Sequence, residues 1–351
     1  MKSRMATNST YRGEHMLKRT ALTSLLSAAL LTIGIGVVCA EPLKIRMQWS
    51  TAPSHMTPLI PLAPKGIYKH WGKSYVVEAL RMAGSGPALQ AIAADEIEFG
   101  GMSPQALVLG VSRAKIELRV IAQVMSTGVD GFDATPFVVR KNDRIDTFKD
   151  LKGRIVAINA FGGNVDAALR SMASREGMTP GRDFQLVEVR MAAMLSALES
   201  KRVDMAFLVK PFDLIAKRKG EFKELFDMRD ALGAAETLSW IGKASFVQKN
   251  RAALVDFLED NLRFRKWLLD PNNADARAEI ISKVTKRPAK GYTAWAFTHD
   301  DGYRDPLALT DVKRMQKNVD DLKKLGILDN TIDVAKYVDM SLAKEAAARL
   351  K

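Results

Sequence analysis

Small hydroxyl side chains follow three predicted strands, at the points where a helix is expected to begin. They are Ser50 with its neighbour Thr51, then Ser85, and then Ser103. A serine or threonine in this position either caps the helix or, together with the first N–H groups of that helix, binds a ligand. Because the carboxyl ends of strands in an open α/β sheet lie where ligands bind, we expect some of these four residues to share a site.

A fourth junction lies in residues 150–177. Its apolar segment, residues 155–158, predicts a buried strand, the pair Gly162 and Gly163 predicts a tight turn, and Asn164 is expected to cap the helix that follows. The start of such a helix carries unpaired N–H donors and a partial positive charge, which suits an anion. The segment has neither a G-x-G-x-x-G pattern nor a Walker ending, so a nucleotide is not favoured.

Other reactive side chains form no catalytic or metal-binding pattern. After residue 40 the histidines are His55, His70 and His299, which are far apart, and the motifs H-E-x-x-H, G-x-S-x-G and C-x-x-C are absent. Lys210 follows a predicted strand, where its charge either meets an anion or lies on the surface. The sequence therefore predicts no catalytic residue, no metal and no cofactor.

The elements that position these residues alternate between strands and helices. Strands are predicted at residues 43–49, 75–80, 97–99, 118–124, 136–140, 155–158, 184–189 and 203–208, and helices at 87–95, 104–113, 164–177, 191–200, 252–269, 311–325 and 340–350. The last third is rich in helix. This order predicts an α/β fold.

The first forty residues are predicted to be a cleavable signal peptide. Lys18 and Arg19 precede an apolar segment over residues 22–38, and cleavage is expected after Ala40. The alternative is an uncleaved membrane anchor, for which the apolar segment is short. Met16 is an alternative start to Met1, because it directly precedes the basic residues.

Length and charge limit the classes of function that remain. The chain has 351 residues and a formal net charge of +13, and the part after residue 40 is long enough for two domains. The only cysteine of the whole sequence, Cys39, lies in the predicted signal peptide, so disulfides are not expected. Dense Lys/Arg blocks are absent, which argues against nucleic acid; the basic charge suits an anionic small molecule or membrane surface.

Several short segments occur together in a recognisable order. They are residues 88–100 (ALQAIAADEIEFG), residues 150–153 (DLKG) with Gly162 and Gly163, residues 198–204 (LESKRVD), residues 325–328 (LGIL) and residues 337–339 (YVD). In this order the chain resembles the substrate-binding proteins of ABC importers, in the nitrate, sulfonate and taurine class that includes thiamine-pyrimidine-precursor binders. Asp95 stands where the family pattern has glycine.

The resemblance implies a type II-like periplasmic binding fold with two α/β lobes, two crossover strands and a helical C-terminal region. One lobe is expected to comprise residues 41–136 and 249–351, and the other residues 137–248. The crossovers are expected near residues 136–141 and 240–248. The implied ligand-binding residues, which include aromatic side chains that would cover an apolar part of the ligand, are Trp49, Ser50, Thr51, Ser85, Ser103, Phe161, Gly162, Gly163, Asn164, Lys210 and Trp240.

The implied function is capture of a solute without chemistry. A monomer in the periplasm would close around a small organic anion, a sulfonate or carboxylate that is aromatic or aliphatic, and deliver it to an inner-membrane ABC permease with its ATPase. Three alternatives stay open: a sensor that presents its closed form to a membrane receptor, a binder of a neutral pyrimidine, and an enzyme on the same fold. Enzymes of the pyrimidine-synthase type resemble this family but use a cysteine-rich motif, which the chain after residue 40 lacks.

Overall fold

The computed structural model describes residues 41–350. The predicted signal peptide, residues 1–40 with its cleavage site after Ala40, lies outside the described residues. Within residues 41–350, no helix is both long enough and apolar enough to cross a membrane.

Strands and helices alternate along most of the described chain. The strands are β1 Leu43–Trp49, β2 Tyr75–Arg81, β3 Phe99–Met102, β4 Leu118–Thr127, β5 Pro136–Arg140, β6 Ile155–Ile158, β7 Gln185–Glu188, β8 Met205–Phe207, β9 Phe222–Asp227 and β10 Ala235–Lys243. The α-helices are α1 Ser85–Ala93, α2 Pro104–Ser112, α3 Asn164–Arg175, α4 Met194–Glu199, α5 Phe212–Lys219, α6 Met228–Leu232, α7 Ala244–Lys249, α8 Arg251–Leu269, α9 Ala274–Thr285, α10 Val312–Lys324 and α11 Ser341–Ala348.

Two five-stranded sheets have the same topology. The first sheet has the order β2-β1-β3-β10-β4, and the second has the order β7-β6-β8-β5-β9. In each sheet the first three strands in the order pair in parallel, and the fourth strand is antiparallel to both of its neighbours. We call residues 41–127 and 235–350 the first lobe and residues 136–232 the second lobe. The predicted two-lobed α/β fold is therefore observed.

The positions of both crossovers differ from the prediction. Residues 136–141 were expected to form the first, but β5 pairs with β8 and β9 inside the second sheet. Residues 240–248 were expected to connect the lobes, but β10 pairs with β3 and β4 inside the first sheet, and α7 follows it there. The connections are instead residues 128–135 and residues 233–234. The segment of β10 mixes apolar and polar residues, and its sequence does not distinguish a central strand from a crossover.

Both faces of the first sheet are covered by helices. On one face Trp240 of β10 packs with Phe257 of α8, their ring centroids 5.1 Å apart, and α11 lies alongside α8. On the other face Ile241 packs with Leu107 of α2 and Val319 of α10. The second lobe has a separate core around the stacked rings of Phe137 and Phe226. The C-terminal helices thus belong to the first lobe.

Candidate functional site

A cavity between the two lobes brings together strand ends and helix starts from both sheets. Its empty volume is about 590 Å³, including the part open to solvent, which lies within the range of small-molecule sites. The cavity is lined by Ser50, Thr51, Ser54, His55, Gly84, Ser85, Gly101, Met125, Thr127, Thr135, Asn159, Gly163, Asn164, Val165, Met191, Phe207, Val209, Met228, Thr237 and Leu238.

The lining is neutral and its two sides differ in polarity. Within residues 41–350, none of the lining residues is lysine, arginine, aspartate or glutamate. Hydroxyl and imidazole groups of the loop after β1 lie on the first lobe. Apolar side chains predominate on the second lobe, where Met191, Phe207, Val209 and Met228 line the cavity. Such a site can hold a molecule with an apolar body and hydrogen-bonding groups.

Two helices begin at the cavity from opposite lobes. The first residues of α1, with Ser85, come from the first lobe, and the first residues of α3, with Asn164, come from the second. The Oγ of Ser85 accepts a hydrogen bond from the backbone N–H of Ser103 at 3.2 Å. The unpaired N–H groups and partial positive charge of such helix starts suit an oxyanion.

A serine and a histidine form a buried pair in the same cavity. Nδ1 of His55 lies 3.4 Å from Oγ of Ser50, and Nε2 of His55 lies 3.3 Å from the carbonyl oxygen of Gly101. The imidazole is 4% exposed. Its burial lowers the pKa of His55 to about 4, although the backbone groups of Gly101 and Thr51 act in the opposite direction. The ring is therefore neutral near pH 7.

Five of the predicted ligand-binding residues line this cavity. They are Ser50, Thr51, Ser85, Gly163 and Asn164. The details at α3 differ from the prediction, because Gly163 rather than Asn164 occupies the N-cap position. Asn164 instead donates from Nδ2 to the backbone oxygen of Thr237 at 2.5 Å, which connects α3 to the first lobe.

Six predicted residues do not line the cavity. Ser103 is buried and caps α2 through its Oγ, which accepts from the N–H of Ala106 at 3.3 Å. Trp240 is fully buried in the core of the first lobe. Trp49 contacts the guanidinium of Arg81 in a separate groove. The others, Phe161, Gly162 and Lys210, are described next.

The remaining three of these residues lie beside the cavity, outside its lining. Phe161 is 46% exposed, and with Gly162 it lines an outer groove. Lys210 pairs with Asp133, in the connection between the lobes, and its Nζ lies 3.6 Å from the carboxylate of Asp213. The sequence offered two interpretations of Lys210, an anion contact or a solvated charge, and neither describes this partly buried ion pair.

Several polar lining residues were missed by sequence reasoning. Asn159 directly follows β6, so the rule that selected Ser50 after β1 also applies to it. Thr127 ends β4 and Thr135 directly precedes β5, so both also lie at strand ends. His55 lies in a loop, and its approach to Gly101 is a tertiary contact without a local sequence signal.

The lobes touch each other closely beside the cavity. Nδ2 of Asn159, in the second lobe, donates to the backbone oxygen of Ala83 at 2.8 Å. A Cβ added to Gly84 would lie 2.5 Å from that same Nδ2, and one added to Gly86 would lie 2.4 Å from the backbone oxygen of Phe161. Glycine therefore permits the lobes to meet, and the arrangement is closed.

A buried carboxyl group lies where the two connections leave the first lobe. Glu236 is in β10, just after residues 233–234, and its Oε1 accepts from Oγ of Ser126 at 3.0 Å and from Nη1 of Arg314 at 2.9 Å. Its Oε2 has no hydrogen-bond donor among the described residues. Burial raises the pKa of Glu236 to about 7, although Ser126 and Arg314 oppose this shift.

Glu236→Gln is expected to change the pH dependence of stability. Between pH 4.5 and 7 the folded state retains a proton that the unfolded chain has released. The contribution of Glu236 to the free energy of unfolding is therefore fully present below pH 4.5 and falls by about 3 kcal/mol as the pH rises through 7. Urea unfolding at pH 4.5 and at about pH 8 should show the difference between wild type and variant changing by this amount; a constant difference would contradict it.

The fold and the interlobe cavity define a two-lobed ligand-binding architecture. The sequence model of the family described as NMT1/THI5 like matches residues 57–274. The chain belongs to this family, and the resemblance indicated by the sequence is confirmed. None of the curated proteins compared with the chain matches it.

Solved structures with the same fold include binding proteins and an enzyme. The alkanesulfonate-binding protein SsuA from Xanthomonas axonopodis pv. citri, bound to MOPS, is 16% identical with a TM-score of 0.66, covering 86% of this chain and 100% of that one. The nitrate-binding protein NrtA from Synechocystis PCC 6803 is 18% identical with a TM-score of 0.69, covering 89% of each chain. The desulfurization enzyme DSZB is 12% identical with a TM-score of 0.59, covering 88% of this chain and 100% of that one. At these identities the likeness concerns the fold.

Proposed function

We propose that this protein is an extracytoplasmic solute-binding protein that captures a small organic anion between its lobes. The observation that carries the proposal is the interlobe cavity, at which α1 and α3 begin from opposite lobes. Their N–H groups and the hydroxyl of Ser85 would hold a sulfonate or carboxylate. A ligand bound to both helix starts stabilises the closed form, because only that form brings them together.

The lining favours an organic anion over a small inorganic one. Met191, Phe207, Val209 and Met228 present apolar surface that nitrate would leave uncovered. An aliphatic or aromatic body fills this side of the cavity, while neutral donors hold the charged head. The anion needs no cationic side chain, since hydrogen bonds to an ionised acceptor are stronger than those between neutral groups.

The proposed delivery partner is an ABC permease with its ATPase in the inner membrane. Support comes from the shared fold with SsuA and NrtA, whose names describe periplasmic binding of sulfonates and nitrate. The protein would act in the periplasm as a monomer after cleavage at Ala40. A sensor role would use the same closed form, and ligand-stimulated ATPase activity of the reconstituted permease separates transport from sensing.

A melting screen tests capture. Residues 41–351 are refolded to remove carried-over ligand and heated with taurine, alkanesulfonates, nitrate, benzoate, phthalate or a hydroxymethylpyrimidine. A ligand at about a thousand times its Kd adds roughly 4 kcal/mol to the folded state, so we expect organic anions to raise Tm by several degrees. A Tm shift with the pyrimidine alone would contradict the proposal that the ligand is an anion. No Tm shift with any compound would contradict the proposed ligand class.

Catalysis is the competing interpretation, suggested by the contact between Ser50 and His55 and by the fold of DSZB. A general base works best with a pKa near the working pH. The imidazole of His55 has a pKa of about 4 because it is buried, and its other nitrogen faces a carbonyl oxygen rather than a carboxylate. The pair is thus poorly suited to accept a proton from Ser50, and we propose a binding role for it.

A further inference from the structure

The contact between Ser50, His55 and Gly101 has a defined hydrogen-bond direction. A carbonyl oxygen only accepts, so Nε2 of His55, 3.3 Å from the oxygen of Gly101, carries the proton. In the neutral ring Nδ1 is then the acceptor. The hydroxyl of Ser50, 3.4 Å away, is the donor that faces Nδ1. The proton of Ser50 therefore points at the imidazole.

The ring of His55 is held in this orientation by its surroundings. A Cβ on residue 101 would lie 2.6 Å from Cδ2 and 3.0 Å from Nε2 of His55, so the ring packs directly on the backbone of Gly101. The backbone N–H of His55 donates to the oxygen of Thr51 at 2.9 Å, which fixes the loop. Turning the ring over would place carbon atoms at both hydrogen-bonding positions.

Ser50 and Ser85, two of the three serines that line the cavity, consequently have opposite hydrogen-bonding character. Ser50 uses its proton on His55, which leaves the lone pairs of its Oγ for the cavity. Ser85 accepts from the N–H of Ser103 at 3.2 Å, which leaves its O–H group as a donor. Both residues line the same cavity. The lining of the first lobe thus offers a hydrogen-bond acceptor at Ser50 and a donor at Ser85.

We propose that Ser50, oriented by His55, selects ligands that carry a hydrogen-bond donor, a hydroxyl or an amine, in addition to the anionic head. The ligand class is then an organic anion with a donor substituent. This inference rests on the proposed capture of an organic anion, because the helix starts and Ser85 take the charged head. Rotating the Ser50 hydroxyl toward a ligand acceptor would leave Nδ1 of His55 as a buried acceptor without a donor, which is unfavourable.

Matched pairs of compounds test the selection by calorimetric titration. The pairs are 2-hydroxyethanesulfonate and taurine against ethanesulfonate, and 3- and 4-hydroxybenzoate against their methoxy counterparts. We expect the donor-bearing member of the best-bound pair to bind about tenfold more tightly, the effect of one hydrogen bond. Equal binding within every pair, or tighter binding of the member without a donor, would overturn the proposal.

Two serine variants separate selection from general affinity. In Ser50→Ala the preference within the best-bound pair should fall to about twofold or less, because the acceptor is gone. In Ser85→Ala both members should weaken by a similar factor and the preference should remain, because the charged head is common to both. A preference that survives in Ser50→Ala would overturn the assignment of Ser50.

The tautomer of His55 gives a readout that needs no ligand. In ¹⁵N NMR spectra of the wild-type protein between pH 6 and 8, we expect a protonated Nε2 and an unprotonated Nδ1. A protonated Nδ1 would overturn the inference even if the protein binds organic anions. Absence of binding to every compound, with the expected tautomer present, would overturn both the selection and the proposed capture of an anion, while the direction of the Ser50–His55 hydrogen bond would stand.

Discussion

Gly86→Ala is expected to weaken ligand binding by roughly a hundredfold or more, with little change in the free energy of unfolding. The added methyl group would lie 2.4 Å from the backbone oxygen of Phe161, which belongs to the opposite lobe. That oxygen sits in the short turn before α3 and has little freedom to move. The lobes must therefore separate, and the variant loses the closed form that a ligand favours.

The fold itself should tolerate this substitution. Gly86 lies in α1, where alanine is a better helix former than glycine by about 1 kcal/mol, so each lobe remains folded. Affinity is measured by titration with the anion that gives the largest Tm shift. Small-angle scattering at saturating ligand should show wild type compact and the variant more extended.

Gly291→Ala is the matched glycine-to-alanine control away from the interface. A Cβ there would have no heavy atom within 4 Å, and Gly291 does not line the cavity. We expect the affinity of this variant to stay within a few fold of wild type. If Gly291→Ala and Gly86→Ala weaken binding equally, or if Gly86→Ala binds normally, then closure does not depend on the contact between Gly86 and Phe161.

Asp260→Asn is expected to lower the free energy of unfolding by about 3 kcal/mol. Asp260 is fully buried on α8, and its two oxygens accept four hydrogen bonds. The donors are the backbone N–H groups of Lys69, His70 and Trp71 and the hydroxyl of Tyr75. An asparagine would place an NH₂ group against at least one of these donors and would remove the charge that strengthens all four bonds.

The hydroxyl of Tyr75 cannot relieve this mismatch by losing its proton. Burial is the largest cause that raises the pKa of Tyr75 above its ordinary value, and it remains when the charge of Asp260 is removed, so the group stays a donor. The loop at residues 69–71 and the start of β2 would therefore lose their attachment to α8. Urea unfolding monitored by circular dichroism gives the free energy difference.

Asp256→Asn, on the same helix, is the control for the loss of a carboxylate. Asp256 pairs at the surface with Nη1 of Arg349 at 2.9 Å and more distantly with His70. Exposed ion pairs contribute up to about 1 kcal/mol. If Asp260→Asn lowers the free energy of unfolding no more than Asp256→Asn does, the buried hydrogen bonds of Asp260 contribute little to stability.

Local sequence patterns predicted most of the strands and helices that build the site. The segment 155–158 and the helix after Gly163 form as expected, because an apolar run, a glycine turn and helical periodicity are all local signals. The boundary of β3 was wrong: residues 97–99 were predicted, whereas the strand is Phe99–Met102. Its two glycines indicate a turn locally, but pairing with β1 and β10 extends the strand through them.

Side-chain direction was less predictable than element position. Trp240 lies in β10, and sequence alone does not decide which face of a doubly covered strand a residue occupies; the aromatic ring points into the core against Phe257. Lys210 was expected at an anion or in solvent, yet it pairs with Asp133, which is distant in sequence. Contacts of this kind depend on how the connections between the lobes fold back.

The amino-acid sequence by itself determined the α/β class, the order of elements, the family, and the strand ends where Ser50, Thr51 and Ser85 stand. Each of these depends on periodicity or on residues close together in the chain. Only the tertiary structure decided that His55 meets Gly101, that Gly84 and Gly86 let the lobes touch, and that the cavity is neutral. These features arise from packing between segments that are far apart in sequence. Local patterns do not predict which distant residue a side chain will contact.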